Sequence, residues 1–180
     1  AHPTDFPAGR HQPRAGRIVV PGRIESRKNQ LLSLAVAQRF PAMHFVFVGG
    51  ATRSDRRYVD LFHDELARTA NASHIEHLPR DEFYPLILSA EAVLSASWFE
   101  VTSLIERYCV DNGVPLAASR YSYLDGPAAA PIERFDPADV DGATEALTAC
   151  LARPPKRIVA PSGVTTTTSR TIVEVIEGRW

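Results

Sequence analysis

Three residues that follow the first predicted strand have side chains suited to holding a diphosphate. Gly22, Arg23 and Lys28 lie within residues 21–29, where a strand ends and a helix begins. An arginine can donate two parallel hydrogen bonds to one phosphate, while a lysine acts as a point charge on the next. The positive end of the helix dipole would add to this attraction. A solvated basic turn is the commoner explanation of an isolated pair of cations, but the position directly after a strand favours anion binding.

A second segment, residues 97–106, combines a carboxylate with the start of a helix. It follows a predicted buried strand, so the backbone amides of residues 102–105 could bind a phosphate at a helix N-terminus. Glu100 comes just before this N-terminus, where it could accept hydrogen bonds from sugar hydroxyls. An ordinary exposed acid in a loop is the simpler alternative. We interpret Glu106 as structural, because Ser103 and Glu106 have the spacing of a capping box.

The hydrophobic pattern predicts the elements that must position these segments. Near-continuous apolar runs predict strands buried on both faces of a parallel sheet at residues 18–21, 44–48, 74–77, 92–96 and 114–118. Apolar positions at helical spacing predict helices at about 31–40, 58–66 behind a Ser54 cap, from an Asp81 cap onward, 104–111 ended by Asn112-Gly113, 139–151 and 170–177. This alternation predicts a doubly wound α/β fold, which binds ligands at the carboxyl ends of its strands. Residues 1–16 are predicted to be a linker or N-terminal arm, and residues 17–180 one domain.

Composition limits the classes of function. The chain has 180 residues, 44% hydrophobic and 23% charged, as in soluble globular domains. Its formal net charge of -1 gives no broad positive field for nucleic acid or an anionic membrane. No apolar run approaches the roughly 20 residues of a membrane span. Two cysteines without disulfide or metal spacing favour a reducing compartment, so we expect a cytoplasmic protein. The start at Ala1, without a methionine, suggests a segment excised from a longer protein.

Five short segments, in order along the chain, carry a resemblance to a known family. They are a G-R-x4-K motif at residues 22–28, a strand with a Gly-Gly turn at 45–50, a S-A-D-x5-S-x-x-E-like stretch at 89–100, G-x-P-x-x-x-S at 113–119, and F-D-P-x-D at 135–139. The Gly-Gly turn alone either lets the backbone approach a ligand or simply connects a strand to a helix. Each segment is weak alone, but five in the right order are specific. From about Arg17 onward the chain resembles the C-terminal, donor-binding domain of retaining GT-B glycosyltransferases of family 4.

The resemblance implies a Rossmann-like half of a GT-B fold that binds a nucleotide-sugar donor. Its catalytic residues would be Arg23 and Lys28, which would bind the diphosphate and stabilise the leaving group, and Glu100, which would contact the donor sugar. The rest of the donor site would comprise Gly22, Leu78, Val101, Thr102, Ser103 and Leu104, with the base near residues 77–80. The resemblance implies no metal and no other cofactor, and the net charge of -1 gives no reason to expect a nucleic-acid partner. Catalysis would need an N-terminal acceptor-binding domain, since the chemistry of this fold takes place between two domains.

Two positions depart from the family pattern. Counted without gaps from Glu100, the family's second glutamate falls on Tyr108, which we expect to pack in the core. Instead of a Gly-Gly pair after Ser119, this chain has the sequence Arg-Tyr-Ser-Tyr at 120–123, whose tyrosines would stack on a base or sugar or merely fill the surface. These departures motivate a second hypothesis, a degenerate non-catalytic binding or assembly module. A sugar-nucleotide epimerase of the same architecture is a third, but it needs catalytic carboxylates and a histidine that the pattern does not supply.

Overall fold

The architecture is a six-stranded parallel sheet with helices on both faces. The computed structural model describes residues 12–122 and 132–153. Its elements are β1 (Arg17–Pro21), α1 (Gln30–Ala37), β2 (His44–Val48), α2 (Arg56–Arg68), β3 (Ala72–Ile75), α3 (Arg80–Leu88), β4 (Ala92–Ser95), α4 (Leu104–Asn112), β5 (Leu116–Ser119), β6 (Ile132–Phe135) and α5 (Val140–Leu151). The strand order is β3-β2-β1-β4-β5-β6, and every neighbouring pair is parallel. The predicted doubly wound α/β fold is confirmed. None of the described helices is long and apolar enough to cross a bilayer.

Two apolar clusters, one on each face of the sheet, hold the layers together. Successive side chains of a strand point to opposite faces, so Ile18 and Val20 of β1 enter the first cluster and Val19 enters the second. The first cluster takes its helical residues from α1, α2 and α5, and the second from α3 and α4. In the first, the Phe47 and Phe62 rings meet edge-on with centroids 5.4 Å apart. Burial on both faces explains why β1 has the uninterrupted apolar sequence by which it was predicted.

The order of the strands creates a crevice between β1 and β4. The chain runs outward from β1 to β3, crosses back to β4 and continues to β6. The loops that leave β1 and β4 therefore diverge, because α1 packs in the first cluster and α4 in the second. In open α/β sheets this reversal of strand order is where ligands bind. The two segments with candidate binding residues follow these two strands.

Several predicted strand boundaries are wrong by one or two residues. The third strand is Ala72–Ile75 instead of 74–77, and the fifth is Leu116–Ser119 instead of 114–118. The strand β6 was not predicted at all, because its sequence Ile-Glu-Arg-Phe lacks a continuous apolar run. The predicted helix at 170–177 lies outside the described residues.

Two predicted helix caps are also wrong, whereas one helix end is confirmed. Ser54 lies inside a short 3-10 turn, Arg53–Asp55, and α2 begins after it with no side-chain cap. Asp81 is in the first turn of α3 instead of at its cap, because the helix already begins after Pro79. The end of α4 is as predicted, with Gly113 in the left-handed conformation at φ 70°.

A backbone contact between the turns after β1 and β2 requires a glycine at position 49. Gly49 has a φ of +148°, and a Cβ atom there would lie 2.3 Å from the carbonyl oxygen of Gly22. Two hydrogen bonds fasten the same turns, from the Gly22 amide to the Val48 carbonyl (2.9 Å) and from the Ile24 amide to the Gly50 carbonyl (3.0 Å). Gly49 therefore serves close packing of backbone on backbone, and it supports the segment that carries Arg23.

We expect Gly49→Ala to lower the free energy of unfolding by on the order of 3 kcal/mol, because the added methyl group collides with backbone and the φ angle is strained. Gly50→Ala is the matched control, since its Cβ would approach no atom closer than 3.7 Å. Urea unfolding followed by circular dichroism measures both. Equal losses in the two variants would contradict the close contact.

Candidate functional site

The chain after β1 makes a tight turn that directs two cations into the crevice. Ser26–Lys28 form a 3-10 turn, and Asn29 follows in the left-handed conformation, with φ 55°, at the start of α1. The Asn29 side chain donates a 2.8 Å hydrogen bond to the carbonyl of Pro137, which holds this uncommon backbone conformation in place. Arg27 and Lys28 are thereby aimed at the loop that follows β4.

Glu100 forms the contact between the loop after β4 and the turn after β1. Glu100 is only 8% exposed. Its Oε1 atom accepts hydrogen bonds from the Lys28 ammonium, from Arg27 Nη1 at 3.0 Å and from Ser97 Oγ at 2.9 Å. Within residues 12–122 and 132–153, no donor is bonded to the other oxygen, Oε2. One carboxylate oxygen thus links the two loops across the crevice, and the second remains available to a ligand.

The surroundings of Glu100 keep its carboxyl group ionised. Burial by itself raises the pKa, but the hydrogen bond and charge of Lys28, the Ser97 hydroxyl and the charge of Arg27 together outweigh it. The pKa of Glu100 therefore lies below its usual range. At neutral pH the group therefore accepts hydrogen bonds and cannot donate them.

Ion pairs connect Arg23 to the same cluster. Arg23 Nη2 lies 3.4 Å from Glu25 Oε2, and the other oxygen of Glu25 accepts a 2.9 Å hydrogen bond from Arg27. The Arg23 side chain is 66% exposed, against 22% for Lys28, so Arg23 can turn toward a ligand at little cost. The structure therefore brings Lys28 and Glu100 into contact and links Arg23 to them through Glu25 and Arg27. We call these five residues the ion-pair cluster.

The remaining predicted site residues lie at different distances from the ion-pair cluster. Gly22 lies beneath the stem of Lys28, where a Cβ would be 3.4 Å from Lys28 Cδ. Val101, Thr102, Ser103 and Leu104 form the partly to fully exposed entry to α4 directly after Glu100. Leu78, by contrast, lies between β3 and α3 and packs against the second apolar cluster. It is two strands away from β1.

An apolar rim borders the ion-pair cluster. Of six large apolar side chains that are exposed on the described surface, five lie in the loop after β4, at the start of α4 or in the loop after β5, namely Trp98, Phe99, Val101, Leu104 and Tyr121. The two loops are joined by a 3.1 Å hydrogen bond from the Glu100 amide to the Tyr121 carbonyl. Val101 is the most exposed of them, at 80%.

Glu106 and Tyr108 are both internal residues of the fold. Glu106 is 1% exposed, and its two oxygens accept hydrogen bonds from the hydroxyls of Ser95 (2.7 Å) and Ser122 (2.6 Å). Of the predicted capping box only one half forms, in which Ser103 Oγ accepts from the Glu106 amide at 3.3 Å. Tyr108 is also 1% exposed and lies in the second cluster, as predicted from its helical spacing.

Sequence reasoning missed three members of the site, Arg27, Glu25 and Ser97. Arg27 and Glu25 occupy unspecified positions inside the G-R-x4-K motif, and Ser97 precedes Glu100 by three residues. A possible signal was the alternation of charge at residues 23, 25 and 27, which suits a chain of ion pairs. Glu25 and Ser97 bond to residues only two or three positions away, so a local signal existed for them. Arg27 could not be identified from the pattern alone, because Phe99 and Glu100 lie more than 70 residues away.

Comparison with solved structures shows where this fold is also found. The UDP-forming α,α-trehalose-phosphate synthase of Burkholderia xenovorans matches 78% of the chain with a TM-score of 0.64 at 17% identity. A protein of Anabaena solved in complex with UDP and glucose matches 76% with a TM-score of 0.64 at 14% identity. The sucrose-phosphate synthase of Thermosynechococcus elongatus matches 79% with a TM-score of 0.61 at 20% identity.

These similarities establish a shared Rossmann-like fold. The chain spans only 38%, 39% and 38% of the three solved chains, so it corresponds to one part of longer proteins. A scan against protein-family models finds no match. A search of curated proteins also finds none.

Replacing Glu100 by glutamine tests the ion-pair cluster through its pH dependence. Because the folded-state pKa is lowered, the charged carboxylate stabilises the fold above its usual pKa of 4.5, and this contribution is lost as the pH falls below that value. We expect Glu100→Gln to cost about 1–3 kcal/mol at pH 7, because charged hydrogen bonds are weakened. The difference from the unsubstituted chain should shrink in acid.

Urea unfolding between pH 7 and pH 3 measures this difference. Glu65→Gln is the control, since Glu65 forms an exposed pair with Arg68. We expect a change of about 0–1 kcal/mol there. A Glu100→Gln difference that stays constant with pH would show that the carboxylate is not held by these cations.

Proposed function

We propose that this chain is the donor-binding domain of a retaining GT-B glycosyltransferase of family 4 type, which transfers a sugar from a nucleotide to an acceptor. The observation that carries the proposal is the contact of Lys28 and Arg27 with Glu100 in the crevice between β1 and β4. It combines cations for a diphosphate with an ionised carboxylate for sugar hydroxyls, at the edge of the sheet where such folds bind ligands.

In this proposal Arg23 and Lys28 bind the donor diphosphate. Arg23 is exposed and lies at the end of the ion-pair cluster, so it can fork onto a phosphate after leaving Glu25. Lys28 can bridge a phosphate and Glu100, since an ammonium group has three donors. As the glycosidic bond breaks, these charges would offset the negative charge on the departing diphosphate without a metal ion.

Glu100 and the entry to α4 would bind the sugar in this proposal. The Oε2 atom of Glu100 is the acceptor offered to its hydroxyl groups, and Val101, Thr102, Ser103 and Leu104 follow directly. The Ser103 hydroxyl is occupied with the Glu106 amide, which leaves the amides of Leu104 and residue 105 at the free helix N-terminus. Gly22, which has no side chain, would leave room for the Lys28 stem to reach the phosphates. Leu78, which is farther from Glu100, would contact the base of the nucleotide.

Catalysis in this proposal requires a second, acceptor-binding domain N-terminal to the chain. The short coverage of the solved chains and the exposed apolar rim beside Glu100 support this view. Cys109 and Cys150 are unpaired and buried, which favours a reducing compartment, and we propose a cytoplasmic location.

A degenerate, non-catalytic module is the second candidate. It is favoured by Tyr108, which occupies the register of the family's second glutamate but is buried with its ring centroid 4.6 Å from that of Tyr84. A side chain in that place cannot reach a ribose. Transfer activity of the chain joined to its N-terminal domain distinguishes the two candidates, because a degenerate module would bind a nucleotide at most.

Calorimetry of the chain with UDP-, GDP- and ADP-sugars tests donor binding. We expect weak binding of one of them and no sugar transfer by the isolated domain. If none of these nucleotide-sugars binds, the proposal is contradicted. The nucleotide-sugar that binds most tightly identifies the base and the sugar of the donor.

Arg23→Ala should weaken binding of that ligand by ~1.5–3 kcal/mol, the loss of a charged hydrogen bond to phosphate. Arg68→Ala is a matched control, because Arg68 is 69% exposed and paired with Glu65 in the way that Arg23 is 66% exposed and paired with Glu25. Both variants should be titrated under the same conditions. Unchanged affinity in Arg23→Ala would remove Arg23 from the site.

A further inference from the structure

We infer that Arg27 is a positioning residue that orients the Glu100 carboxylate and joins the sugar-binding loop to the diphosphate-binding turn. By this role it governs affinity for the sugar of the donor more than affinity for the nucleoside diphosphate. The inference rests on the proposed function. It concerns a side chain at a position that the G-R-x4-K motif leaves unspecified.

The Arg27 guanidinium lies between the two loops and bonds to both. Nη2 donates to Glu25 Oε1 at 2.9 Å, while Nη1 donates to Glu100 Oε1 at 3.0 Å and to the Phe99 carbonyl at 3.3 Å. Its Cζ atom is 5.7 Å from the centroid of the Phe99 ring. The main chain adds a fourth link, since the Trp98 amide donates to the Arg27 carbonyl at 2.9 Å. Arg27 therefore fixes three consecutive residues of the loop after β4.

These contacts distinguish Arg27 from the cations proposed to bind phosphate. Its side chain is 33% exposed, half the value for Arg23. Two carboxylates and a carbonyl accept from three of its five N–H donors, including both on Nη1, so a phosphate would have to compete with these acceptors for the guanidinium. Arg23 has one ion pair to give up and is the better phosphate ligand.

The shape of the guanidinium explains why Lys28 cannot replace it. Lys28 also bonds to Glu100 Oε1, but an ammonium group on a long stem is a point charge that either carboxylate oxygen satisfies. The planar fork of Arg27 fixes direction as well as charge, because its two ends are held by Glu25 and by Glu100. With Oε1 fixed in this way, Oε2 keeps a constant orientation toward the sugar. Without Arg27, Oε1 is held only by the Lys28 ammonium and the Ser97 hydroxyl, whose donors both rotate about single bonds and fix the plane of the carboxylate less firmly.

Arg27→Met tests the inference, because methionine keeps much of the stem and removes every donor. The ligands are the nucleotide-sugar that the unsubstituted chain binds best and the matching nucleoside diphosphate. We expect affinity for the nucleotide-sugar to fall about tenfold, which is the loss of one oriented hydrogen bond, while affinity for the nucleoside diphosphate changes less than about twofold. Arg68→Met should change neither.

A second measurement needs no ligand. Hydrogen exchange of the amides at residues 97–100 should become faster in Arg27→Met and stay unchanged in Arg68→Met. Arg27→Lys keeps the charge without the fork, so it should shift the ratio of the two affinities in the same direction, and it serves if the methionine variant does not fold. If Arg27→Lys binds both ligands as tightly as the unsubstituted chain, the argument from the shape of the guanidinium is overturned.

The outcomes separate this inference from the function on which it rests. Equal weakening of both ligands in Arg27→Met would make Arg27 a phosphate ligand and overturn the inference while leaving donor binding intact. Unchanged exchange and unchanged affinities would overturn it as well. If the unsubstituted chain binds neither ligand, donor binding itself fails, and sugar recognition by Arg27 fails with it.

Discussion

The bond between one oxygen of Glu100 and the cations of the neighbouring loop is the interaction on which the site depends. A carboxylate that is 8% exposed is unfavourable unless donors replace the lost water, and here Lys28, Arg27 and Ser97 all converge on Oε1. The cations benefit in return, since otherwise they would repel each other at the start of α1. Within the first loop Glu25 alone faces three cations, so Glu100 supplies the negative charge that this loop lacks. The crevice is therefore already formed before any ligand arrives.

The sheet makes this contact possible by its order of strands. Because β1 and β4 are neighbours while their helices lie on opposite faces, two segments about 70 residues apart in sequence leave the sheet side by side. The turn after β2 supports the segment that follows β1, because the backbone of Gly49 packs directly against that of Gly22. The apolar clusters on the two faces then fix both helices that begin in the loops. Charge in the crevice is thus arranged by apolar packing beneath it.

The sequence predicted those features that depend on local pattern. Continuous apolar runs identified five of the six described strands, and helical spacing correctly placed Tyr108 in the core. Features set by distant partners were missed. β6 is recognisable only beside β5, and Arg27 acquires its role from Glu100 and Phe99, 73 and 72 residues away. Glu106 illustrates both cases, since its structural role followed from the Ser103 spacing while its actual partners, Ser95 and Ser122, come from other elements.

The burial of Tyr108 limits which side chains the fold can accept at this position. Its ring packs with Tyr84 in a layer where 1% of its surface remains exposed, and neighbouring positions such as Cys109 and Val110 are equally enclosed. A glutamate introduced there would place a charge among apolar side chains, at a cost comparable to a large share of a domain's stability. A single Tyr108→Glu substitution is therefore expected to destabilise the fold severely. The position can accept a carboxylate only if several of these buried neighbours change together.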